Sequence, residues 1–148
     1  MSSRDGGTRH DKSWTPTRLN RYIDHHMPTR CFGFPRNQRL TRPAEFEHVK
    51  RNGSVHRGGL LLISVASSNE AAPFRAGFVT SRALGSAVVR NRVRRRLREI
   101  VRKHQREIVD RVWIVTIARA CAARASYQQL EVEWLRLAKR ASILATPC

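Results

Sequence analysis

The sequence predicts a mixed α/β fold in a single domain. Three observations carry this. Three short runs (60–65, 76–81 and 112–117) are dense in aliphatic and β-branched residues over the length of a strand. Between and around them, apolar residues recur at intervals of three and four, the period of a helix with one buried side. The chain has 148 residues, enough for one ordinary domain and too few for two.

Residues 1–36 fall outside this pattern. They mix Ser, Gly, Thr, Pro, Arg and His without a sustained period, with Arg4, Arg9, Lys12, Arg18, Arg21, Arg30 and Arg36 against Asp5, Asp11 and Asp24. Such a composition is expected to form a disordered basic tail, leaving 37–145 as the folded domain. Met27 is a second candidate start, and the His25-His26 pair has no Cys, Asp or Glu at ligand spacing beside it. The first element is a short helix. Thr41 is the expected cap, Pro43 suits the first turn, Glu45 favours the positive end, Phe46 and Val49 give the apolar side, and Gly53 ends it. Strand 60–65 follows, then a turn-rich loop at 67–73, then strand 76–81. After a long helix comes strand 112–117. A closing helix follows over 126–141, capped by Ser126, with Leu130, Trp134, Leu137 and Ala141 on one face. Trp113 and Trp134 read as packing residues.

The charge balance points to function. There are 29 Lys and Arg against 11 Asp and Glu, a net +18, and 25 of the basic residues are arginine. Arginine grips phosphate oxygens with a planar fork of donors and stacks on bases. So much like charge opposes a compact fold, and a polyanionic partner relieves it. Nucleic acid is the expected partner class; an anionic membrane is the alternative. No apolar run reaches the roughly 18 residues of a spanning helix, and the opening residues lack the apolar core of a secretory signal. Cys31, Cys121 and Cys148 form neither a metal box nor a disulfide framework and read as free thiols in a reducing cytoplasm.

The charge concentrates in one helix. Val89, Val93, Leu97, Ile100, Val101 and Ile108 define its apolar stripe, and Ser86 after Gly85 is the expected cap. Between residues 85 and 106 stand nine Arg or Lys and one acid, Glu99. A solvated face usually interleaves both signs. Here Arg90, Arg94 and Arg98 are spaced four apart, which places like charges side by side on one ridge at a few tenths of a kcal/mol per pair. Phosphates would reverse that penalty by releasing counterions. Asn91 is an indifferent helix residue whose amide suits a base edge, a sugar or a hydrated metal, or else bonds locally near the helix start.

The run Arg75-x-Gly77-Phe78-x-x-Ser81-Arg82-x-x-Gly85-x-Ala87-Val88-x-Arg90-Asn91-Arg92-x-Arg94-Arg95-x-x-Arg98-Glu99 closely resembles the protein component of bacterial ribonuclease P. Arg39-Leu40 with Glu45-Phe46, Val49 and Gly53, then Ile117-Ala118-Arg119, then Ser126-Tyr127 with Leu130 extend the likeness over roughly 37–142. The resemblance implies an α+β two-layer sandwich in the order α-β-β-β-α-β-α, with a left-handed strand-helix-strand crossover where crossovers are ordinarily right-handed. It implies an RNA-binding subunit that assists a catalytic RNA in removing the 5′ leader of precursor tRNA. Mg2+ would be held mainly by RNA, with no catalytic or metal-binding residue in the protein, no membrane and no obligate protein partner.

By position, Arg90, Asn91, Arg92, Arg94, Arg95 and Arg98 fall on the family's RNA-binding motif. Phe46, Val79, Ser81 and Arg82 fall at its leader-binding cleft, although an aromatic like Phe46 on a short amphipathic helix also serves as core. The sequence departs from the family where Lys50 replaces a second aromatic and where the family's strand aromatic is missing near Ile63. A basic residue and a Pro are likewise absent at Ala83 and Ala120. Leader contact is therefore expected to be more electrostatic than stacking. The alternative is a ribosomal or other structural RNA-binding protein. An autonomous nuclease would need clustered carboxylates for metal, and Glu45, Glu47, Glu70, Glu99, Glu107, Asp110, Glu131 and Glu133 form no compact acidic motif. A helix-turn-helix DNA binder is disfavoured by the strands flanking the basic helix.

Overall fold

The computed structural model describes residues 34–70 and 72–145. The expected tail as far as residue 33, with His25, His26, Met27 and Cys31, lies outside the described residues, as does Cys148. The elements are α1 (Pro43–Asn52), β1 (Ser54–Arg57), β2 (Leu61–Ser67), β3 (Arg75–Thr80), α2 (Ala87–His104), β4 (Val112–Ala118) and α3 (Tyr127–Arg140). Short 3-10 turns occupy Arg36–Gln38, Arg82–Leu84 and Ala120–Arg124. The order is helix, three strands, helix, strand, helix.

The four strands form one sheet in the order β1-β2-β4-β3. β2 pairs antiparallel with β1 and β4, while β3 and β4 are parallel neighbours joined through α2. Alternation along the strands gives the sheet two faces. Leu61, Ile63, Ala76, Ile114 and Ala118 pack against Val93, Leu97, Ile100 and Val101 of α2 and Leu130, Trp134, Leu137 and Ala138 of α3. On the opposite face, Ala66 and Val115 pack with Leu40 and Val49, and Phe46, Val79, Trp113 and Ile117 are partly buried beside them. The segment before α1 crosses the β3 edge between these faces. Phe34, placed in the tail by the sequence boundary at 37, is 6% exposed and packs on Phe74 and Phe78. Arg39 then bridges Ala76, and Leu40 enters the second face.

Local chemistry fixes the helix starts. The Ser86 hydroxyl accepts from the Val89 N–H, after Gly85 turns the chain at φ 123°, a conformation that side chains rarely tolerate. Ser126 and Gln129 form a reciprocal capping box on α3. α1 differs from expectation: its cap position is Arg42, not Thr41. The Glu45 carboxylate performs the capping instead, accepting from the N–H groups of Thr41 and Arg42 at 2.8 and 2.9 Å. On the closing helix, Ala138 rather than Ala141 completes the fully buried stripe.

α3 is tied to the sheet and to α2 by polar contacts as well as by packing. Trp134 donates its indole N–H to the Thr116 hydroxyl at 3.3 Å, with both residues fully buried. Lys103 Nζ and His104 Nε2 lie 2.8 and 2.9 Å from Glu131 Oε1, and the His104 ring stacks on Trp134. The hydrogen bonds from Lys103 and His104 hold the Glu131 carboxyl below its ordinary value.

Replacing Trp134 by Phe keeps most of the apolar volume but strips the Thr116 hydroxyl of its donor. A buried polar group left unsatisfied costs about 1–3 kcal/mol, so urea unfolding of Trp134→Phe should show a loss in that range with an unchanged m-value.

Candidate nucleic-acid interface

A cleft of about 310 Å3 opens between α1 and the sheet. Phe46, Glu47, Val49 and Lys50 form its helical wall; Val55, Arg57, Leu62, Ser64, Val79, Val115 and Ile117 supply strand residues. Arg75 sets α1 in place. Its Nε donates to the Asn37 carbonyl at 3.1 Å, and its Nη2 donates to the Arg39 carbonyl at 3.0 Å and meets Glu45 Oε1 at 2.7 Å. Its guanidinium also lies 5.3 Å from the centre of the Trp113 ring, which His48 meets edge-on. Gly77 completes the fit, because a Cβ there would come within 2.7 Å of Phe46 Cε1. Burial opposes the Glu45 charge, but the backbone N–H groups of Arg42 and Thr41, and then Arg75, outweigh it and hold the carboxyl below its ordinary value.

Of the residues expected in the cleft, Phe46 and Val79 line it. Ser81 and Arg82 stand just beyond the end of β3, exposed, and are not among its lining residues. Ile63 faces the other way: it is fully buried under the helices, and the cleft-facing residues of β2 are Leu62 and Ser64. The period of two along a strand makes neighbours in sequence point to opposite faces, so a position fixed only to within one residue cannot be assigned a face. Trp113 lies on the α1 side of the sheet, half-buried between Arg75 and His48.

The basic helix presents its arginines in three ways. On one flank, Arg94 donates to the Thr80 hydroxyl at 2.6 Å and Arg90 is half-buried, its Nε enclosed without a hydrogen-bond partner. On the other flank, Arg92 and Arg96 donate to the carbonyls of Ala123 and Ala125 at 3.4 and 2.9 Å. Along the crest, Asn91, Arg95 and Arg98 are exposed, and their side chains make no hydrogen bond or ion pair among the described residues. The expected Arg90–Arg94–Arg98 ridge is thus divided, and of the three only Arg98 is exposed. Arg39, Arg94 and Arg98 surround a hollow of about 250 Å3 on the β3 side. Partial burial, then the charges of Arg39 and Arg94, push the Arg98 guanidinium below its ordinary value; it remains a cation at neutral pH.

The acids do not converge. Five of the eight described carboxylates pair with Lys or Arg: Glu45 with Arg75, Glu47 with Arg51, Glu99 with Arg102, Glu131 with Lys103 and Glu133 with Arg136; a sixth, Glu107, contacts the His104 ring. Among the described residues, no group of three or more His, Cys, Asp or Glu could hold a metal ion. Sequence reasoning missed Arg57, whose strand carries no apolar alternation. It quoted Arg75 only as part of a motif, although that residue organises the cleft wall.

The model of the family described as Ribonuclease P matches residues 34–142. A ribonuclease P protein component from Roseiflexus sp. (strain RS-1) is 40% identical over 110 residues, covering 74% of this chain and 89% of that protein. Another, from Acidothermus cellulolyticus, is 41% identical over 107 residues, covering 72% and 89%. Among solved structures, the Staphylococcus aureus RNase P protein superposes with a TM-score of 0.69 at 26% identity, covering 72% of this chain and 97% of its own. The RNase P protein from Thermotoga maritima gives 0.63 at 25%, covering 69% and 96%.

Two outcomes follow from this geometry. Arg94→Ala should lower the melting temperature, because it leaves the buried Thr80 hydroxyl without its donor, whereas Arg95→Ala should leave it unchanged or slightly higher. Because the Glu45 carboxyl is held below its ordinary 4.5 in the folded chain, the stability it contributes is present above that value and is lost as pH falls through the lower folded value. Acid titration of unfolding free energy should therefore fall less steeply below about pH 4.5 in Glu45→Gln than in the parent.

Proposed function

This chain belongs to the ribonuclease P protein family, and from that premise we propose that it is the RNA-binding subunit of a ribonuclease P holoenzyme. In this reading it assists a catalytic RNA in the endonucleolytic removal of the 5′ leader from precursor tRNA. The observation that carries the reading is the crest of α2: Asn91, Arg95 and Arg98 stand exposed and unneutralised, close to Arg92 and Arg94, on a helix whose other side is locked into the core. An unpaired cationic crest repels itself in the free protein and gains when phosphates replace condensed counterions.

The division of labour follows from the side chains. Arg92, Arg94 and Arg96 position and stiffen the helix; Asn91, Arg95 and Arg98 meet the RNA subunit, Asn91 through an amide able both to donate and to accept. The leader lies in the cleft against Phe46 and Val79, passing Ser81 and Arg82 at the end of β3. Hydrolysis belongs to the RNA subunit, with Mg2+ held by RNA and substrate; the carboxylates of this chain are spread among ion pairs, and no step is assigned to them. The setting is the cytoplasm. No helix among the described residues is long and apolar enough to cross a membrane.

Rigorously RNA-free protein should leave precursor tRNA uncut in Mg2+, and adding the RNA subunit at low salt should yield mature 5′ ends. Cleavage by the protein alone overturns the proposal. So does recovery of ribosomal RNA, without the ribonuclease P RNA, on protein purified from cells. Arg95→Ala with Arg98→Ala should lower the salt slope of log affinity for the RNA subunit by roughly 1.4 to 1.8, at about 0.7 to 0.9 per lost phosphate contact, while thermal melts stay unchanged.

A further inference from the structure

The pairing register lines up one row of side chains across the mouth of the cleft. Arg57 pairs with Leu62, Leu62 with Ile117, and Ile117 with Val79. Three strand spacings make this row about 14 Å long. The next row, Val55–Ser64–Val115–Gly77, lies toward α1, with Phe46 seated on Gly77 and the Ser64 hydroxyl 3.4 Å from the Val49 carbonyl. The floor of the open row is therefore aliphatic: Leu62, Ile117 and Val79 are half-buried, and no aromatic ring is among them. At the β1 end stands exposed Arg57, and on the facing helical wall stands exposed Lys50. Neither side chain makes a hydrogen bond or ion pair among the described residues. The cleft's one carboxylate, Glu47, pairs with Arg51 at 3.9 Å.

We propose that Lys50 and Arg57 form a phosphate clamp across the mouth of this cleft, holding a single-stranded RNA by its backbone over an aliphatic floor without regard to base identity. The proposal rests on the leader-binding reading above and names what does the holding. Reading base identity requires a donor-acceptor group aimed at a base edge, whereas stacking on a ring tolerates any base. The lining's one ring, Phe46, is seated on Gly77 in the next row, and the floor row supplies none. The polar lining residues are Glu47, Lys50, Arg57 and Ser64, of which Glu47 has a partner and Ser64 is turned to Val49. Two free cations remain, and an ammonium and a guanidinium recognise phosphate whatever base it carries. An aliphatic floor accepts the flat face of any of the four bases.

The test uses the holoenzyme reconstituted from the full chain and its RNA subunit. Binding is measured across several salt concentrations for precursor tRNAs with leaders of different sequence, and for the same tRNA without a leader. Wild-type affinity should vary by no more than about threefold among leader sequences. The double variant Lys50→Ala/Arg57→Ala should bind leadered tRNA roughly tenfold more weakly, with a salt slope lower by about 1.4, the single-strand value for two phosphate contacts. Leaderless tRNA should be bound as before, and the swap Lys50→Arg/Arg57→Lys should retain most of the leader's contribution. Uncharged methylphosphonate linkages in the leader should weaken wild-type binding as the double alanine variant does. If the wild type gains affinity from a leader and the double variant keeps that gain, the clamp is wrong and leader binding stands. If the wild type binds leadered and leaderless tRNA alike, the leader-binding reading fails and the clamp with it. Equal weakening toward both tRNAs, or a single leader base shifting wild-type affinity tenfold, also overturns the clamp.

Discussion

The guanidinium of Arg75 joins elements that otherwise share little surface. From the edge strand β3 it reaches two backbone carbonyls of the segment before α1, the carboxylate that caps α1, and the face of Trp113 on β4. The Arg75 and Glu45 side chains are 18% and 12% exposed, so neither charge is at ease without the other. Removing one member of such a pair leaves an uncompensated charge, on the order of 3–5 kcal/mol when fully buried. α1 itself is a helix of ten residues, too short to persist on propensity alone. Arg75, Glu45 and the Gly77–Phe46 contact fix where it lands on the sheet. The cleft is what remains of a sheet face that α1 covers only in part.

Arginine does two jobs in this chain, and the same residue type hides the difference. Arg75, Arg92, Arg94, Arg96 and Arg119 spend their donors on carbonyls, a hydroxyl or a carboxylate within the domain. Arg57, Arg95 and Arg98 keep theirs for solvent or a ligand. The first group lets a highly charged helix lie close to loops and strands without acids to neutralise it, since a backbone carbonyl is a partner that carries no net charge. The second group concentrates positive potential where nothing internal cancels it, as the effect of Arg39 and Arg94 on Arg98 illustrates.

Much of this was legible in the sequence, and the illegible parts share a cause. The Val93–Leu97–Ile100–Val101 stripe, the Ser86 and Ser126 caps and three of the four strands follow from periodicity and local hydrogen-bonding chemistry, which act over a few residues. β1 escaped because Ser54–Arg57 is an edge strand, largely exposed, whose pairing with β2 rather than any apolar alternation makes it a strand. Thr41 lost the cap because the helix begins at Pro43, one residue later than that cap requires, and Glu45 reaches back to the N–H groups of Thr41 and Arg42. The face of Ile63, the engagement of Arg94 with Thr80 and the arrival of Arg57 at the cleft depend on register and on contacts between distant segments, which composition and spacing do not encode. Phe46 and the α2 crest could be singled out because the family pattern carried them; their surroundings came only from the assembled sheet.

β4 lies between β2 and β3 although it is the last strand of the four in sequence. During synthesis, β2 therefore has only β1 to pair with, and β3 has only the short contact with Arg39, until Val112–Ala118 have emerged. The apolar stripe of α2 likewise waits for the floor that Ile114 helps to complete. Nascent chains pass through a stage in which two strands rich in aliphatic residues expose unsatisfied edges, beside a helix whose like charges resist collapse. Folding of this domain is thus a late event set by a non-local pairing, slow by the standard of chains built from local contacts. A polyanion bound at the proposed crest would relieve that repulsion while the sheet closes.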